Sequence, residues 1–136
     1  DFNRDGWIDI VVANFFGETV SILFNDGAGS FSEDEVYTTE DRSFGIAAAD
    51  FDGDGDVDFV VTDVGDRDQP IAGSTASVFL NNGAGTFATR VTYATDIGPY
   101  CIAAGDWDGD GIIDLAMTNV GTDTVPRTTI TVYLGQ

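Results

Sequence analysis

The chain has no histidine, no lysine and one cysteine, and no apolar run near the ~20 residues that cross a bilayer. Without histidine, imidazole-based acid/base chemistry and the usual zinc ligand sets are excluded. Cys101, within Tyr100-Cys101-Ile102-Ala103-Ala104, can form no disulfide inside the chain and is expected to be a small core residue. Positive charge is nearly missing: five bases, all arginine, face 24 acids, 20 of them aspartate. Such a surface repels phosphate and anionic lipid, so neither nucleic acid nor membrane insertion is expected. There is no initiator Met or signal-like segment, and the chain starts inside a loop. It is expected to be an excised or processed piece of a longer protein.

The aspartates are not scattered. Twelve of the 24 acids fall in three nine-residue windows, 1–9, 50–58 and 106–114. In Asp50-Phe51-Asp52-Gly53-Asp54-Gly55-Asp56-Val57-Asp58, side-chain oxygens stand at positions one, three, five and nine. A glycine occupies the sixth, where the chain turns. Loops of this kind wrap a hard cation such as Ca²⁺ in six to eight oxygens. The other windows keep the register, with Asp1, Asn3, Asp5 and Asp9 in one and Asp106, Asp108, Asp110 and Asp114 in the other. All three carry an aromatic second residue and an apolar eighth. Carboxylates this close repel by about 4 kcal/mol per pair at an effective dielectric near 20; a bound dication reverses that sign. Two to three calcium ions are therefore expected.

An EF-hand begins alike but needs a glutamate at position twelve and flanking helices. Here position twelve is Val12, Val61 or Met117, and short apolar runs follow each loop, β-branched in the first two. The loops therefore sit in β-hairpins. Strands are predicted over 8–13, 19–24, 35–39, 43–49, 59–63, 76–80, 87–93, 98–105, 112–118 and 130–134, with the longest connections at 64–75 and 119–129. Asn25-Asp26-Gly27-Ala28-Gly29 and Asn81-Asn82-Gly83-Ala84-Gly85 read as hairpin turns. The loops recur after 49 and then 56 residues, a spacing suited to four-stranded propeller blades. The fold class is all-β: about two and a half blades of antiparallel strands spanning residues 1–136, as repeats of roughly 1–49, 50–105 and 106–136. A ring usually takes at least four blades, so the chain is expected to be part of a larger propeller or to associate with other chains, including copies of itself.

The Phe44-Gly45 start, the D-x-D-x-D-G-x-x-D loops and the Gly-Ala-Gly-x-Phe turns resemble FG-GAP/VCBS repeats, the calcium-bearing blades also seen in integrin α-subunit propellers. Gly-Ala-Gly stands here where the family name expects Gly-Ala-Pro. The resemblance implies that the backbone carbonyl at position seven, of Trp7, Asp56 and Ile112, joins the side chains as a ligand. It also implies an extracellular setting, secreted or at the cell surface.

If the metal loops share one face, residues 14–19, 39–43, 63–75, 94–99 and 119–129 lie on the other. That face holds Phe15, Phe16, Asp41, Arg42, Asp66, Arg67, Asp68, Asp96, Asp123 and Arg127. Variable loops on a rigid scaffold collect binding residues, so the leading expectation is recognition of a protein or glycan there, with calcium structural. Phe15-Phe16 is expected either to plug the neighbouring blade or to meet a ligand, the plug being favoured. A structural role in an extracellular fibre or multi-chain propeller is the alternative. Segments of this repeat family also accompany hydrolases and lyases, but the free acids, Asp66 and Asp68 among them, have no recognisable catalytic spacing, and no enzyme is expected.

Overall fold

The computed structural model describes residues 1–66 and 73–135. Among the described residues, ten strands form three antiparallel sheets in sequence order, with one short 3-10 turn at Phe15–Gly17. The first sheet is β1 (Ile10–Asn14), β2 (Thr19–Asn25) and β3 (Phe31–Thr38). The second is β4 (Ser43–Ala49), β5 (Asp58–Asp63), β6 (Thr75–Phe79) and β7 (Val91–Ala94). The third is β8 (Pro99–Gly105), β9 (Asp114–Gly121) and β10 (Pro126–Tyr133). These are the partial propeller blades that the loop spacing predicts.

Side-chain alternation explains how the blades stack, since successive residues of a strand point to opposite sheet faces. In β5, Phe59 and Val61 join Phe2, Val20, Ile22, Phe79 and Phe87 in a core between the first and second blades. Val60 points the other way, into a core with Ala76, Val78, Leu115 and Met117 between the second and third. Covered on both faces, β5 is buried at every position, with three successive apolar residues, Phe59, Val60 and Val61, at its centre. The inner strands β4 and β8 crowd together: a β-carbon on Gly45 would run into the Tyr100 carbonyl oxygen. The Thr62 hydroxyl, 2.8 Å from the Gly45 amide and 2.9 Å from the Tyr100 carbonyl, clips β4, β5 and β8 to one another.

Three expectations need correction. Cys101 is exposed, not in the core, because its side of β8 faces away from the core that Ile102 and Ala104 join and is covered by no other blade among the described residues. The outer strand expected over 87–93 is confined to Val91–Ala94; Phe87 is pulled into the core between blades and keeps only an isolated bridge to Asn81. The connection expected over 119–129 shrinks to 122–125, since β9 runs to Gly121 and β10 starts at Pro126, with the register irregularity taken up between Pro126 and Thr129. Asn119, bonded to the Thr131 hydroxyl at 2.9 Å, holds this extension in place.

Candidate metal centres

Each acidic loop is wound up by its own amides. In the second, the two Asp50 oxygens accept the amides of Gly53 and Gly55 at 2.7 and 2.9 Å, Asp52 accepts that of Asp54 at 3.1 Å, and Asp54 that of Asp56 at 2.8 Å. The third loop repeats the set with Asp106, Asp108 and Asp110. In the first, Asp1 takes the amides of Asp5 and Gly6, Asn3 that of Asp5, and Asp5 that of Trp7. Positions four and six are left-handed in every copy: Gly53 and Gly55, Gly109 and Gly111, and Arg4 (φ 60°) with Gly6. The sixth-position glycine is legible in the sequence. The turn at the fourth is hidden by Arg4, whose side chain would not lead a reader to expect that backbone.

The ninth residue fastens the loop to the blade. One Asp9 oxygen accepts the Phe2 amide at 2.8 Å and the other the Asn25 amide at 3.0 Å, so one carboxylate ties the loop's start to the end of β2. Asp58 does the same with Phe51 and Asn81, and Asp114 with Trp107 and Gly135. The balance of forces differs between the last two. Burial, helped by the like charges of Asp52 and Asp54, pushes Asp58 up against the pull of its two amides. At Asp114 the amides of Trp107 and Gly135 outweigh burial and hold the carboxyl below its usual range.

Each of Asp50, Asp52 and Asp58 brings one carboxylate oxygen within 4.8 Å of the others, and so does each of Asp106, Asp108 and Asp114. Two such triads of hard oxygens suit a divalent cation, because the repulsion among three carboxylates is what its charge removes. Asp54 and Asp110 stand outside the triads, each with an oxygen on the amide two residues on. The first loop forms no acidic triad among the described residues; its third position is Asn3, whose amide nitrogen donates to Asp5 at 3.0 Å. Of the seventh residues, Trp7 lies over Gly27 of its turn, and Asp56 lies against Gly83 and pairs with Arg4 of the first loop at 2.5 Å. Neighbouring loops are thus in direct electrostatic contact. That contact joins residues 52 positions apart, and no local pattern predicts it.

The opposite face is bolted by backbone bonds from Val64 to Arg42, from Gly98 to Gly73 and from Val120 to Gly98. Above them runs an aromatic ledge. Phe44 and Tyr100 stack at 3.9 Å, Phe15 meets Phe44 edge-on at 6.3 Å, and Phe16 meets Phe15 at 5.0 Å. The plug reading holds for half-buried Phe15 and fails for Phe16, which is 87% exposed. Arg42 lies 6.0 Å from the Phe15 ring and pairs with Asp66 at 3.1 Å. Arg67 and Asp68 lie outside the described residues, and Arg127 belongs to β10.

Antiparallel blades, each entered through an acid-rich nine-residue loop, define a repeat-built propeller-type module. The FG-GAP-like repeat model matches residues 1–61 and 65–117, and the chain belongs to the FG-GAP repeat family. No curated protein matches it. FG-GAP repeats often bind calcium, are typical of extracellular proteins and are typically non-catalytic modules. No described helix is long and apolar enough to cross a membrane.

Proposed function

We propose that the protein is an extracellular, calcium-stabilised recognition module that presents the face opposite its metal loops to a protein or glycan. The observation that carries the reading is the ledge of Phe16, Phe15, Phe44 and Tyr100, which spans all three blades with Phe16 open to solvent and Phe44 partly so. Exposed rings held against one another on a rigid scaffold offer apolar contact at little entropic cost. Calcium is structural here. Asp50, Asp52 and Asp58, and Asp106, Asp108 and Asp114, hold it at two sites, with Asp54, Asp110 and the carbonyls of Asp56 and Ile112 completing the shells. A third ion sits in the first loop on Asp1, Asn3, Asp5, Asp9 and the Trp7 carbonyl.

A glycan array run with and without calcium tests the recognition role. The expected result is a glycan signal that Phe16→Ala and Phe44→Ala abolish without lowering the melting temperature. A signal indifferent to both substitutions would remove the ledge from the account, and a purified protein ligand whose binding they abolish would move the assignment to protein.

The second reading is a structural subunit of a fibre or multi-chain propeller. It is favoured by the exposed Ile130, Val132 and Leu134 on the third blade and Ile10 and Val12 on the first. Sedimentation at two concentrations decides it: a monomer at both rules it out.

A further inference from the structure

The fourth position of each acidic loop is left-handed, and two of the three copies meet that demand with glycine, Gly53 and Gly109. The first copy keeps Arg4 there at φ 60°, a backbone that a β-carbon penalises and that persists only where the surroundings hold it. What holds it lies in the next loop. The Arg4 Nε sits 2.5 Å from Oδ1 of Asp56, and its guanidinium runs beside Gly55. Where the first and third loops carry uncharged Trp7 and Ile112 at the seventh position, the loop that receives the arginine carries an acid. Asp56 is buried, and its Oδ1 has the Arg4 charge against it but no hydrogen-bond partner among the described residues. A buried carboxylate deprived of its cation is costly, so Asp56 keeps its place only while Arg4 is docked.

We infer that Arg4 is a positioning residue of the second metal loop, through which a cation held in the first loop favours a cation in the second. The inference rests on the calcium reading of the loops. On that reading Asn3 and Asp5, the residues on either side of Arg4, share one ion, and an ion held between them fixes the left-handed turn that aims the arginine at Asp56. What the arginine steadies in the second loop is the backbone of Gly55 and Asp56. The Gly55 amide bonds Asp50 at 2.9 Å, the Asp56 amide bonds Asp54 at 2.8 Å, and the Asp56 carbonyl is itself among the proposed ligands. With the first loop open, Arg4 leaves, Asp56 must turn to water, and the amides and carbonyl beside it lose their alignment. The docked pair is neutral overall, so it sets no net charge against a dication. Such coupling is reciprocal: the second loop favours the first by the same factor. The third loop stands outside it, because Gly53 has no side chain to send across and Ile112 has no charge to receive one.

The test is a calcium titration of the chelator-stripped 136-residue chain followed by NMR. The amides of Gly6, Gly55 and Gly111 report the three loops one by one, since each bonds the first aspartate of its own loop. Asp5→Ala, which removes a proposed ligand of the first loop alone, is expected to raise the calcium midpoint at Gly55 by about fivefold or more and to leave Gly111 unmoved. Two backgrounds break the link: Arg4→Gly, whose glycine suits the turn, and Asp56→Ile, which gives the second loop the third loop's uncharged residue. In both, Asp5→Ala no longer moves the Gly55 midpoint. Such a cycle reads the coupling itself and not the stability of any one variant, and either background completes it if the other fails to fold. A Gly55 midpoint indifferent to Asp5→Ala, an equal shift at Gly55 and Gly111, or a shift that survives either substitution in a folded protein would overturn the inference and leave the calcium reading standing. No response at any of the three glycines up to about 10 mM calcium would remove the calcium reading and the coupling with it.

Discussion

Asp63 stands where the other two blades carry asparagine. Asn14, Asp63 and Asn119 each lie five residues past the ninth loop position, and each bonds hydroxyls of the paired strand: Thr19 and Ser21, Thr75 and Ser77, and Thr131. Asp63 also accepts from Ser43 at 3.3 Å. Fully buried, its carboxyl is pushed up to about 6 by loss of solvent, against the opposing pull of Ser77, Thr75, Ser43 and the charge of Arg90. The folded protein therefore holds this proton more tightly than the unfolded chain, whose value is near 3.8. Stability from this group is complete below about pH 4 and is lost as pH rises through about 6. Asp63→Asn is predicted to raise stability at pH 7 by roughly 1–2 kcal/mol, a rise of about 5 °C in melting temperature, and to give no gain at pH 4. Parallel melts of the two proteins at both pH values check this; an equal shift at both would mean that charge burial is not the cause. The recurring position was visible in the sequence, but the burial that gives it consequence was not.

The second residues of the first two loops, Phe2 and Phe51, pack into the cores between neighbouring blades. Phe2 is 3% exposed, between Phe59 and Phe87, whereas Trp107, its counterpart in the third loop, is 51% exposed. Phe2→Ala is predicted to cost about 3–4 kcal/mol and Trp107→Ala less than about 0.5, measured by denaturant unfolding. Comparable losses would contradict the assignment of faces. The loops themselves make a second prediction. Asp54→Ala and Asp110→Ala are predicted to lower the melting temperature by several degrees in calcium and by much less in chelator, since on the proposed calcium reading each removes a ligand as well as one local amide bond. Loops, turns and most strands were legible because their signals are local: oxygen spacing, glycine position, alternation. The extension of β9 and β10 and the inward turn of Phe87 were not, because each depends on a partner elsewhere in the fold, Thr131 for one and Phe2 and Phe59 for the other.

At the scale of the molecule, a chain of net charge −19 keeps half its acids in three loops and stacks three partial blades on two thin cores. The acidic loops fasten those blades through Asp9, Asp58 and Asp114, so the repulsion stored in the loops bears directly on blade packing. Neutralising it is the central claim. The most direct test is calorimetric titration of the chelator-stripped chain with calcium, followed by thermal unfolding at each concentration. The account predicts two to three sites at about 10⁻⁴ to 10⁻³ M and a melting temperature that climbs with calcium, each site adding about 1.4–2.7 kcal/mol at ten to a hundred times its dissociation constant. A chain that keeps its β-structure yet gives no binding heat and no thermal shift up to about 10 mM calcium would contradict it.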